Sequence, residues 1–138
     1  MAKTLTLNLK RVYFDEILAG KKTHEYRDIF PENVKKFVYY TIGDQTFPGD
    51  AELPSEEECP GEVIPHPVKY DYIKFLTGAY AGKRPYMIVE VADAQINFIT
   101  DEQTGEQIIV LDEATGIEFV AAQLDYTLGK IIEVNEGE

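Results

Sequence analysis

The sequence predicts an α+β fold in which a small, strongly bent sheet of about six to eight mostly antiparallel strands closes into a barrel. Three observations favour this class. An alternating strand near the N-terminus is followed at once by an amphipathic helix, the last third of the chain is a succession of strand-like segments, and one aperiodic stretch separates the two regions. A loop–helix segment at about residues 43–80 is expected as an insertion.

The first strand and the early helix follow from the apolar pattern. Residues 4–9 alternate between polar side chains and leucines, which predicts a half-buried strand. The period then changes, because Phe14, Ile17 and Leu18 fall on one helical stripe. Gly20 follows at the point where a helix C-terminus favours a residue in the left-handed conformation.

Strands are predicted for much of the remaining chain. Residues 22–27 and 37–42 are expected to be strands, with a turn or helical turn at 31–36 between them. Turns at Thr104-Gly105 and Thr115-Gly116 flank one of the later strands. Five strand candidates lie in the last third, at residues 86–92, 94–99, 107–111, 118–124 and 128–134.

The expected insertion has a different composition. Residues 43–67 hold five of the seven prolines and seven acidic residues, with no lysine or arginine. A stretch of this length without periodicity indicates a lid or a mobile excursion. Tyr72, Phe75 and Leu76 then restore helical spacing, which predicts a helix in the second part of the insertion.

Length and composition favour one cytoplasmic domain. The chain has 138 residues, of which 44% are hydrophobic and 28% charged, as is typical of a single globular core. Cys59 is the only cysteine, so an internal disulfide is impossible and a reducing compartment is expected. The segment after Met1 does not resemble a signal peptide, and no apolar run approaches membrane-spanning length.

The charge is distributed unevenly along the chain. The formal net charge is −12, yet residues 1–36 hold eight basic and five acidic side chains, a local excess of +3. The acidic remainder opposes binding to long duplex nucleic acid, because such binding depends on many lysine and arginine contacts to phosphate. A small anionic or polar ligand at the basic N-terminal region remains compatible with this pattern, as does a charge asymmetry that serves solubility alone.

The segment GKKTHEYR, residues 20–27, carries the most informative side chains. In an extended conformation Thr23, Glu25 and Arg27 point to one face. Lys22 stands at the start of that strand, beside the helix terminus. Together these groups offer an acceptor, a five-donor fork and a mobile ammonium, which is suitable for binding a polar ligand or for proton transfer. The alternative is a structural ion pair that closes the end of the sheet.

Residues 5–27 resemble the start of an ASCH domain (activating signal cointegrator homology), a relative of the PUA RNA-binding fold. The family signature G-x-K-x-x-E-x-R follows an apolar helix. It matches Gly20, Lys22, Glu25 and Arg27. Residues 125–135 resemble the last strand of the family, with a Leu-Gly-Lys turn at 128–130, whereas residues 43–80 lie outside the resemblance.

The resemblance implies a PUA-like β-barrel with a cleft whose floor carries Lys22, Glu25 and Arg27. ASCH domains are proposed to bind RNA, and a small bacterial subgroup consists of amidohydrolases that deacetylate an N-acetylated cytidine nucleoside. In that subgroup a lysine, a threonine and a downstream glutamate act together. Lys22 matches the lysine, Glu25 stands at the position of the threonine, and Glu90 lies in a predicted strand rather than in the helix after it.

Three hypotheses follow. The first is a module that binds a nucleotide, a nucleoside or short RNA at Lys22, Glu25 and Arg27, with Gly20, Thr23 and Tyr40 as further ligand-binding residues. The second is a small amidohydrolase acting on acylated nucleosides such as acetylcytidine, with Lys22 as base or nucleophile and Glu25 as proton shuttle. The third is a non-enzymatic interaction domain whose partner protein contacts the acidic stretch at 43–67.

Two further sets of side chains bear on these hypotheses. Several tyrosines are candidate stacking surfaces for bases, although each can equally serve to pack the barrel or the insertion. They are Tyr39, Tyr40, Tyr70, Tyr72, Tyr80 and Tyr86, with Lys69, Lys74, Lys83 and Arg84 near the later ones. Neither a metal nor a cofactor is expected, because the spacing of His24, Cys59 and His66 matches no common zinc pattern.

Overall fold

The computed structural model describes residues 2–78 and 84–136, so Tyr80 and Lys83 lie outside the described residues. Within these ranges the chain is mostly β, with two short helices and ten strands. The helices are α1 (Arg11–Leu18) and α2 (Val34–Phe37). The strands are β1 (Thr4–Asn8), β2 (His24–Asp28), β3 (Val38–Ile42), β4 (Gln45–Pro48), β5 (Val63–Pro67), β6 (Tyr72–Leu76), β7 (Tyr86–Phe98), β8 (Ile109–Asp112), β9 (Ile117–Val120) and β10 (Ala122–Asn135).

The largest sheet has five strands in the order β1-β6-β7-β10-β2. Strand β1 runs parallel to β6, with Leu5 opposite Ile73, whereas β6 and β7 are antiparallel. The sheet is curled as a half-barrel, which confirms the predicted bent sheet, and the fold is mostly β where the sequence predicts α+β. That this sheet belongs to a closed PUA-like barrel stays a prediction.

The chain divides into two compact units, and the four boundaries between them fall within β2, between β5 and β6, within β7 and within β10. The first unit comprises residues 1–25, 69–94 and 126–138. Strand β1 shows the alternation that the sequence predicts, because it buries every second side chain. Helix α1 buries Phe14 and Ile17, which confirms the predicted apolar stripe. The fully buried side chains of this unit include Phe14, Ile73, Phe75, Met87, Val89 and Tyr126.

The second unit comprises residues 26–68 and 95–125. It contains a three-stranded antiparallel sheet in the order β4-β3-β5 and the two-stranded hairpin of β8 and β9. Phe37, Val38 and Ile42 are buried around the central strand β3. The hairpin turn contains Gly116 with φ of 72°, in agreement with the predicted Thr115-Gly116 turn.

The prediction of a lid or mobile excursion at residues 43–67 is wrong at both ends of this stretch, because these ends form strands β4 and β5. Both strands flank β3 as the edges of their sheet, and Pro48, Pro65 and Pro67 lie on them. Proline is tolerated on an edge strand because its missing N–H is not required by a further neighbour. The prolines therefore mark sheet edges here.

The helix predicted from Tyr72, Phe75 and Leu76 is also wrong, since these residues lie in strand β6. Five residues are too few to distinguish the helical period of about 3.6 residues from the strand period of about two. The burial of Ile73 and Phe75 follows the alternation of a strand. Residues 72–76 are thus part of the large sheet.

Two strand boundaries were misplaced as well. Strand β7 continues through the break expected near residue 93, and β10 continues through Tyr126-Thr127. Ala122, Leu124 and Tyr126 are all buried, so the alternation continues beyond residue 124, where the predicted strand ends.

Candidate functional site

The segment that carries Lys22 and Glu25 is positioned by the end of helix α1. Gly20 has a φ of 74°, a left-handed conformation that glycine adopts without the penalty of a Cβ. Its N–H donates to the carbonyl of Ile17 at 3.1 Å, and the N–H of Lys21 donates to the carbonyl of Glu16 at 2.9 Å. These two bonds form a Schellman motif, which ends the helix and turns the chain toward β2.

Lys22 and Glu25 form an ion pair within the first unit. The Nζ atom of Lys22 lies 3.3 Å from Oε1 of Glu25, and the two side chains are 20% and 5% exposed. Lys22 Nζ also lies 5.7 Å from the centroid of the Tyr13 ring, within the range of a cation–π interaction. The carboxylate is thus buried and paired, while a fifth of the Lys22 side chain remains exposed.

The signature segment also contacts the part of the chain that resembles the last strand of the ASCH family. The carbonyl of Thr23 accepts a hydrogen bond from the N–H of Leu128 at 2.8 Å. The side chain of Thr23 is exposed. The contact is therefore made by the backbone, and it orients the segment just before Glu25.

Arg27 follows Glu25 by two residues on β2 and is half-buried. It belongs to the second unit, whereas Lys22 and Glu25 belong to the first. The structure therefore brings two of the signature side chains into direct contact, and the convergence of all three stays a prediction.

Tyr40 lines a cavity of about 430 Å³ in the second unit. Most of the lining is apolar, and the phenol of Tyr40 is half-buried, which raises its pKa above the ordinary value. Sequence reasoning identified Tyr40 as a candidate but missed the cavity. Its walls come from several separate segments, so the one available signal, the aromatic residues Phe30, Phe98 and Phe119, is scattered along the chain.

Most of the other candidate tyrosines make contacts within the protein. Tyr39 stacks on His66 with ring centroids 5.0 Å apart, and Tyr70 packs edge-on against Tyr126 at 6.3 Å. The hydroxyl of Tyr86 donates to Glu133, and a lysine ammonium lies over its ring. These contacts match the packing alternative considered for the tyrosines.

The described residues contain neither a cluster of metal-binding side chains nor a membrane-spanning helix. Across residues 2–78 and 84–136, no group of three or more histidine, cysteine, aspartate or glutamate side chains has the arrangement needed to hold a metal ion. Neither of the helices in the described part of the chain has the length and apolar character needed to cross a lipid bilayer.

Comparison of the chain with protein-family models, with curated proteins and with solved structures finds no match in any of the three.

Proposed function

We propose that this protein is an ASCH-type, PUA-like domain that binds a nucleotide, a nucleoside or short RNA through the segment Gly20, Lys22, Glu25 and Arg27. The observation that supports the proposal is the asymmetry of the Lys22–Glu25 pair. Glu25 is buried and holds the ammonium at 3.3 Å, while a fifth of the Lys22 side chain remains exposed. A fixed, partly accessible ammonium can donate to a base carbonyl, a ribose hydroxyl or a phosphate.

Tyr13 adds an aromatic surface to the same place. Its side chain belongs to the exposed hydrophobic residues, at 44%, although the ring lies on a helix that packs against the core. Exposed aromatic rings next to cations are the surfaces on which unpaired bases stack. A ring and an ammonium at this separation therefore suit a ligand that has both a flat apolar face and polar edges.

The total charge supports a small ligand over a long one. With a net charge of −12, long-range attraction to a polyanion is weak. Binding of a nucleoside or a short RNA should depend only slightly on salt, because few phosphates are neutralised.

Calorimetric titration with cytidine, cytidine monophosphate and a single-stranded RNA hexamer tests the proposal. We expect Lys22→Met and Tyr13→Leu each to weaken binding by about tenfold, in line with a charge-assisted hydrogen bond and a stacked base. Lys21→Met is the matched control, because Lys21 is exposed and adjacent in sequence. Absence of binding to all three probes, or an equal loss in the Lys21 variant, would contradict the proposal.

The second candidate is hydrolysis of an acylated nucleoside, which the 3.3 Å separation of Lys22 and Glu25 favours because a proton can pass between groups at this distance. Water would cleave the amide of acetylcytidine to acetate and cytidine, with Lys22 as base or nucleophile and Glu25 as proton shuttle. Acetate release by the wild type that is lost in Lys22→Ala would support this activity, and an inactive wild type would exclude it.

A further inference from the structure

A second site is present in the second unit, apart from the residues that the proposed function uses. The cavity lined by Tyr40 has a volume of about 430 Å³, within the usual range of small-molecule pockets. Strands β3, β7, β9 and β10 and the residues around helix α2 all contribute to its wall. A pocket built largely on strands keeps its shape, since its walls are held by backbone hydrogen bonds.

The aromatic rings of this cavity are only partly covered by protein. Phe30 and Phe98 are 41% and 43% exposed, and Phe30 contacts Phe119 edge-on with centroids 6.0 Å apart. All three rings line the cavity together with Tyr40. Grouped aromatic side chains that stay accessible in a concave surface mark a binding site for an apolar or aromatic body.

The charge of the cavity selects among such ligands. Among the described residues that line it, Glu118 carries the single formal charge, and it is negative. Tyr40 adds no charge, because its phenol is neutral at physiological pH and burial raises its pKa further above the ordinary value. Aromatic faces beside a carboxylate attract organic cations, through the ring quadrupoles and the charge together. An anionic ligand would be repelled by the faces of the aromatic rings and by the carboxylate of Glu118.

We propose that this cavity binds an arylalkyl ammonium compound, with its aromatic body between Phe30, Phe98 and Phe119 and its ammonium group toward Glu118. The ligand class differs from that of the Lys22 site, where the partly exposed lysine invites polar or anionic groups. The two sites can therefore be tested separately with ligands of opposite charge.

Three indole compounds that differ in charge provide the test: tryptamine, neutral tryptophol and anionic indole-3-propionate. Calorimetry should show the order tryptamine, tryptophol, indole-3-propionate, from tightest to weakest. Glu118→Gln should weaken the binding of tryptamine by about fivefold, as expected for an exposed charge pair, and leave the binding of tryptophol unchanged. Phe98→Leu keeps an apolar wall and should weaken tryptamine by about threefold through loss of a ring.

Glu113→Gln is the matched control, because Glu113 is an exposed carboxylate in the turn between β8 and β9 and does not line the cavity. The site is located independently by amide chemical shifts, which tryptamine should change at Gly49 and Phe119. Failure of tryptamine to bind, binding no tighter than tryptophol, an equal effect of Glu113→Gln, or shift changes confined to other residues would each overturn the proposal.

Discussion

The ammonium of Lys22 lies 3.3 Å from a carboxylate oxygen of Glu25, three residues further along the chain, and the side chain of Glu25 is 5% exposed. A carboxylate in this position is stable as long as its charge is compensated. The same contact fixes the position of the Lys22 ammonium. The pair thus links the stability of the first unit to the function proposed for it.

Removing the charge of Lys22 should destabilise the protein. We expect Lys22→Met to lower the free energy of unfolding by about 2 kcal/mol, because the buried carboxylate loses a charged partner. Lys21→Met should change it by less than about 0.5 kcal/mol, as is usual for an exposed side chain. Urea unfolding monitored by circular dichroism measures both variants.

A double-mutant cycle with Glu25→Gln separates the pair from its surroundings. The double variant should recover part of the loss, because replacing the carboxylate with an amide removes the buried charge that Lys22 compensates. If Lys22→Met is no more destabilising than Lys21→Met, the ion pair does not support the buried carboxylate.

Gly20 should tolerate asparagine better than alanine. A Cβ at this position meets no atom within 4 Å, so the cost of substitution arises from the backbone, whose φ is 74°. We expect Gly20→Ala to lower the free energy of unfolding by about 1 kcal/mol, and Gly20→Asn by less, because asparagine visits the left-handed region more readily. Equal losses for the two variants in urea unfolding would show that the left-handed turn is not the cause.

Gly49 should be more sensitive than Gly20, for a different reason. A Cβ at Gly49 would lie 2.8 Å from the carbonyl oxygen of Val34 and would overlap that of Val38. Backbone atoms cannot move aside as a flexible side chain can. We expect Gly49→Ala to cost about 3 kcal/mol, whereas Asp50→Ala, at an exposed neighbour, should be nearly neutral. Thermal unfolding distinguishes these outcomes, and a Gly49→Ala protein as stable as the wild type would contradict the close approach.

Tyr126 should make the stability sensitive to alkaline pH. Burial raises the pKa of this phenol far above its unfolded value of 10.0, and nearby Tyr70 raises it further. The folded state therefore keeps a proton that the unfolded chain loses. This stabilisation is complete below about pH 10 and is lost as the pH rises through the folded pKa.

Urea unfolding between pH 8 and pH 11 tests this expectation for Tyr126. In Tyr126→Phe the decline of the free energy of unfolding above about pH 10 should be shallower, by up to about 1.4 kcal/mol per pH unit. The comparison depends on the slope, so a uniform loss of stability in the variant does not affect it. Identical slopes for the two proteins would contradict a raised pKa at Tyr126.

Local apolar patterns are sufficient to predict a helix or a strand wherever that element has one buried face of several residues. The alternation of Leu5 and Leu7 predicts strand β1, and the stripe of Phe14 and Ile17 predicts helix α1. Both elements occur as predicted. The pattern failed at residues 72–76, because five residues fit either period. Pairing of this segment with β1 and β7 decides that it is a strand, and β1 lies far away in the chain.

By itself, the sequence determined that the chain is rich in strands, that an early helix ends at Gly20, and that Lys22 and Glu25 are close enough in the chain to meet. Tertiary structure alone decided that Glu25 is buried while Lys22 stays partly exposed, and that Tyr40 joins Phe30, Phe98 and Phe119 around one cavity. The physical reason is the separation in sequence of the residues that determine each property. Periodicity reports the environment of neighbouring residues, whereas burial and cavities arise from segments that are distant in sequence and packed together by the fold.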